Sequence, residues 1–119
     1  MLKTLPVLIF MMALQTHAAP KFNCTAEVFE SLSDGSVRTK KVPLKVENES
    51  VTRITLSADL DGRGFTFSGE KEGPYFVTIS EEPDYTKGSM TTANFSKEGR
   101  LQLSVVNQSL VHKLECFKN

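Results

Sequence analysis

The chain has 119 residues, with 14 Lys+Arg balanced by 14 Asp+Glu, two Cys, two His and no Trp. That length holds one domain whose core suffices to fold alone with little to spare. A net charge of zero excludes the surplus of Lys and Arg on which nucleic-acid binding and polybasic membrane-surface attachment depend.

Residues 1–18 read MLKTLPVLIFMMALQTHA. One cation, Lys3, precedes an apolar run from Leu5 to Leu14, followed by Gln15-Thr16-His17 and the small pair Ala18-Ala19. A charged start, a short apolar centre and a small-residue cleavage site are the three parts of a secretory signal. The apolar run, about ten residues, falls short of the roughly twenty that a membrane-crossing helix requires. We expect cleavage after Ala18, leaving 19–119 as a single β domain, soluble, exported to the periplasm or extracellular space and without a membrane anchor. That segment carries 35 apolar residues in 101, with 13 positive and 14 negative charges. So lean an apolar supply suits a thin-cored β protein with a solvated outer face. Both cysteines, Cys24 and Cys116, remain, and in an oxidising compartment they are expected to form one disulfide.

From Phe22 onward apolar and polar residues alternate, the pattern of half-buried strands. In the first strand Phe22, Cys24, Ala26 and Val28 share one face, and Ser33-Asp34-Gly35-Ser36 forms the turn that follows. A second strand runs from Val37 to Glu47 with Val42, Leu44 and Val46 facing in; Lys40-Lys41 and Pro43 give it a bulged or edge character. Val51 to Leu60 is the clearest strand, burying Ile54, Leu56, Ala58 and Leu60. Asp61-Gly62-Arg63-Gly64 signals a hairpin into a short fourth strand with Phe65 and Phe67. Tyr75, Val77 and Ile79 define a fifth strand, and Glu81 to Gly88 is the longest polar connection. A sixth strand includes Ala93 and Phe95, a seventh Leu101, Leu103 and Val105, and an eighth Leu110, Leu114 and Cys116. No helical spacing of apolar residues is present after residue 20. The expected fold is all-β: an eight-stranded antiparallel meander closing into a small up-and-down barrel or a flattened sandwich. The first and last strands of such a meander run antiparallel, so Cys24 and Cys116 would clasp them together.

Chemistry-bearing residues are few. His112 is the one histidine after the signal, and it shares the inward parity of Leu110, Leu114 and Cys116. One histidine, no free thiol and no nucleophile-elbow pattern do not assemble a nucleophile, base and orienting group; His112 reads as a partly buried strand residue. No catalytic residue, no metal ligand set and no cofactor is expected. Asp59, Asp61, Gly64 and Glu70 resemble positions 1, 3, 6 and 12 of an EF-hand loop, but Arg63 stands where an oxygen ligand belongs and the flanks are strand-like. A hairpin turn accounts for the same residues. Asn23, Asn48, Asn94 and Asn107 each begin an Asn-x-Ser/Thr sequon, open to glycans in a eukaryotic source and to plain turn chemistry in a bacterial one.

Two charged stretches are candidate recognition surfaces: a basic patch of Arg38, Lys40, Lys41 and Lys45, and an acidic loop with Glu81, Glu82, Asp84, Tyr85 and Lys87. Loops held on a rigid scaffold are the usual site of binding residues, and outward Phe29, Phe76 and Phe117 would add apolar contact. Neither the Gly-x-Trp start of lipocalins nor the stacking tryptophans of avidin-like pockets is present. In size, export and terminal cysteines the chain is similar to small periplasmic lysozyme-inhibitor barrels, a likeness of architecture without a shared loop motif. The resulting expectation is a monomeric, non-enzymatic binding protein with a protein partner. Two alternatives are an inhibitor that blocks an envelope or secreted hydrolase with the 81–88 loop, and a carrier of a small apolar ligand inside the barrel.

Overall fold

The computed structural model describes residues 21–81 and 87–119. The expected signal segment and the centre of the acidic loop, with Glu82, Asp84 and Tyr85, lie outside these residues. The described residues form nine strands and no helix: β1 (Phe22–Ser31), β2 (Val37–Pro43), β3 (Lys45–Glu49), β4 (Arg53–Leu60), β5 (Arg63–Glu70), β6 (Tyr75–Glu81), β7 (Lys87–Ala93), β8 (Arg100–Asn107) and β9 (Leu110–Lys118). They make two antiparallel sheets, β2-β1-β9-β8 and β3-β4-β5-β6-β7. The barrel does not close. Among the described residues no ladder joins β2 to β3 or β7 to β8, so the meander is a two-sheet sandwich with a seam on each side.

The expected second strand is the source of the ninth. Pro43 has no N–H to continue the ladder, and the next residue, Leu44, turns into the core and donates its N–H to the Cys24 carbonyl at 2.9 Å. The chain thus leaves one sheet at Pro43 and joins the other at Lys45. Val46 keeps inward parity opposite Leu56 but is 57% exposed, contrary to expectation. It lies on an outermost strand and lines an open cavity together with Phe22 and Ile54, so its side chain is left partly uncovered. A register shift between Val46 and Asn48 further bends this edge.

Elsewhere inward parity brings burial, complete at most positions and partial at Ala58, Leu60, Leu103, Val105 and Leu110. Cys24, Ala26, Val28, Ile54, Leu56, Phe65, Phe67, Tyr75, Val77, Ile79, Leu101, Leu114 and Cys116 form the core. Each large apolar side chain so buried contributes roughly 1.5–3 kcal/mol relative to exposure. At one end of the sandwich Phe22, Phe67, Tyr75 and Phe95 make a ring cluster with centroids 5.0–6.0 Å apart. The Tyr75 hydroxyl donates to the Lys71 carbonyl at 2.8 Å, and the Lys118 ammonium donates to that hydroxyl at 3.2 Å, so the polar tip of the cluster is satisfied. Gly69 lets β5 pass close to the next strand. A Cβ there would lie 2.5 Å from the Pro74 carbonyl oxygen, and its φ of +146° suits glycine.

The hairpin read at Asp61-Gly62 is a two-residue turn with both residues at positive φ, 55° and 76°, the geometry that matches strand twist. Cys24 and Cys116 face each other directly in the β1–β9 register and are disulfide-bonded across 92 residues of sequence. The clasp between first and last strands is therefore real, although it lies within one sheet of an open sandwich and not in the wall of a barrel.

Candidate functional site

At the end of the sandwich opposite the ring cluster, a cavity of about 230 Å³ is lined by Arg63, Ile79, Glu81, Gly88, Ser89, Val105, Asn107 and His112. Strand alternation puts these groups together. Arg63 opens β5 and Glu81 closes β6, directly opposite one another and on the inward parity of Phe65 and Ile79. Their side chains form an ion pair, with Arg63 the more buried partner. Glu81 also stands opposite Lys87 in the β6–β7 register. From the other sheet, β9 presents His112, which pairs in register with Val28 on one side and Val105 on the other.

His112 is 2% exposed and its ring lies 6.4 Å from that of Phe65. Burial holds its pKa below the ordinary histidine value, and the nearby Arg63 guanidinium pushes the same way. Asp61 and Glu81 oppose the shift without cancelling it. The imidazole is thus a neutral donor and acceptor at pH 7, at the floor of a cavity whose formal charges, Arg63 and Glu81, balance. Such a site can hydrogen-bond a small uncharged polar group. Among the described residues it does not concentrate charge of either sign.

The acidic loop is shorter than its sequence implies, since Glu81 belongs to β6 and Lys87 to β7. The expected basic patch is spread over different faces. Arg38 and Lys40 share the parity of Val42 and are tied to acids, Arg38 to Glu30 and Lys40 to Asp61 at 3.2 Å. Lys41 stands opposite Glu27 with the other parity, and Lys45 is in the second sheet opposite Ser57. Phe29, Phe76 and Phe117 do not form one patch either. Phe29 lies under the Lys113 ammonium at 5.5 Å, Phe117 is opposite Asn23 near the far end of the same sheet, and Phe76 is on the other sheet. Glu70 is bonded to Arg53 at 3.4 Å, at the opposite end of β5 from Asp59 and Asp61. All four sequon asparagines, Asn23, Asn48, Asn94 and Asn107, are exposed.

Arg63 and Ser89, which line the cavity with His112, are not among the residues singled out from the sequence. Arg63 stands in the hairpin signal and at the failed EF-hand position, but its shared parity with Phe65 and Phe67 is the signal that it faces inward. A larger groove of about 550 Å³ lies at the β2/β3 seam, lined by Val42, Pro43, Lys45, Ser57, Ala58 and Asp59, but it has no buried ionisable group. No family model, curated protein or solved structure matches the chain.

Proposed function

We propose that the chain is an exported, non-enzymatic binding domain that engages a protein partner through the end of the sandwich bearing Arg63, Glu81 and His112, together with the 81–88 segment that continues from Glu81. The observation that carries this reading is the cavity itself, where a buried neutral histidine meets a charge-balanced Arg–Glu pair at the end of β6. Against an enzyme stands the chemistry of the groups: both thiols are tied in the disulfide, and among the described residues no hydroxyl is hydrogen-bonded to His112 to serve as a nucleophile. Against a ligand carrier stands the interior, filled with Phe65, Phe67, Tyr75 and Leu114.

The test is affinity capture from the exported fraction of the native cell. The oxidised wild-type domain is compared with Arg63→Ala and with the triple variant Glu82→Ala/Asp84→Ala/Tyr85→Ala, each checked for an unchanged β-sheet circular dichroism spectrum. Loss of one specific partner in either variant is expected. Full retention of every captured protein by both variants would falsify the assignment of this end as the binding surface.

A further inference from the structure

The two seams of the sandwich differ in how the sequence treats them. An edge strand offers unpaired backbone donors and acceptors to any extended chain, and proteins guard such edges with charge, proline, bulges or brevity. The β2/β3 seam has all four. Arg38, Lys40, Lys41 and Pro43 line β2, while β3 is only five residues long, bulged, and carries Lys45, Glu47 and Glu49. The chain also bridges that seam directly through buried Leu44. The β7/β8 seam has none of these guards along most of its length. Gly88–Ala93 of β7 and Leu101–Asn107 of β8 contain no charged residue and no proline, and the strands are linked only by residues 94–99.

Three further observations fall on the same seam. Met90 on β7 and Val106 on β8 are among the most exposed large apolar side chains, at 71% and 70%. The inward residues of β8 beyond Leu101, Leu103 and Val105, are only partly buried, whereas Leu114 and His112 beside them on β9 are fully covered. The cavity opens into the seam, with Gly88 and Ser89 on one side and Val105 and Asn107 on the other.

We propose that the β7/β8 seam receives an extended segment of a partner protein, which adds to β8 as a fifth strand of the four-stranded sheet. This rests on the reading that the domain binds a protein partner at this end, and it names the mode of binding. The backbone of the segment satisfies the edge of β8 that no described strand pairs with, the mode in which main-chain hydrogen bonds give affinity and alternate side chains give specificity. Its inward side chains are small and apolar and cover Leu103 and Val105. One small uncharged polar side chain enters the cavity beside His112. An apolar residue on the outer side lies against Val106. A segment with acidic or basic residues at the positions facing Leu103 and Val105 is rejected, because Gly88–Ala93 and Leu101–Asn107 carry no charge to pair with them.

The probe is a library of unstructured 12-residue peptides, panned against the oxidised domain spanning 19–119. Selected peptides are expected to alternate apolar residues and to slow hydrogen exchange at the β8 amides that do not bond β9. Methylating alternate backbone nitrogens of the peptide, and separately placing a guard on the edge with Val106→Lys, should each weaken binding at least tenfold. Thr39→Lys on the already guarded β2 edge should leave binding unchanged. Failure to select any peptide, or selected peptides that bind Val106→Lys and the methylated form equally well, overturns strand addition. A dimer of the domain alone that protects the same amides overturns the partner assignment in favour of a second copy. Partner capture that is lost in Arg63→Ala but indifferent to Val106→Lys overturns strand addition while leaving the proposed function standing.

Discussion

His112 couples the molecule to pH through the simplest route, a group whose charged form is disfavoured by folding. Its pKa is lowered in the folded state, by burial first and by Arg63 second. Between the folded value and about 6.5 in the unfolded chain the unfolded state therefore binds more protons, so stability rises with pH in that window. The stabilising difference is fully present above about pH 6.5 and is lost as pH falls through the folded pKa. Urea unfolding midpoints measured from pH 8 to pH 5 should decline, and His112→Gln should flatten that decline even if it lowers the midpoint at every pH. The aromatic end answers to a different term. Phe67 is fully buried against Phe22, Tyr75 and Phe95, so Phe67→Ala should cost about 3–5 kcal/mol in denaturant unfolding. Much of this was legible residue by residue: the parity of Phe22, Ile54, Phe65, Val77 and Leu114 states which face is inward. The site was less so. The association of Arg63, Glu81 and His112 depends on which strand of one sheet lies over which strand of the other, and alternation within a strand carries no such information.

Among the elements, the first and last strands of the chain, β1 and β9, are bound covalently at directly opposed positions, Cys24 and Cys116. Closing a loop of that size removes up to about 4–5 kcal/mol of unfolded-chain entropy in the simplest treatment, a large share of the roughly 5–15 kcal/mol typical of small domains. The double variant Cys24→Ala/Cys116→Ala should shift the urea midpoint down accordingly, with the slope of the transition checked for a less compact unfolded state. Strand order and most turns followed from the chain, because consecutive antiparallel strands joined by short turns have few alternatives. The division into β2 and β3 did not. Val42, Leu44 and Val46 keep a single parity through the break, so the pattern of hydrophobicity is blind to the point at which a chain changes sheets. Pro43 was the only local mark of it. The acidic connection is likewise shorter than its composition suggests, since Lys87 and Gly88 look like loop residues and become strand through pairing with Glu81 and Ser80.

Taken whole, the molecule is a meander whose ends are joined near its start and its finish, and this determines how it carries load. Tension applied through handles at residues 19 and 119 runs from one handle to Cys24, crosses the sulfur bridge, and leaves from Cys116. The turns, both seams and seven of the nine strands hang outside that path, slack while the ends are pulled. Force spectroscopy on the oxidised domain should therefore show almost no release of length. After reduction, unfolding should free the 92-residue span between the cysteines, about 300–330 Å of extended chain. A domain so arranged behaves under tension as a short inextensible link, and its binding surface stays at rest while its ends are pulled.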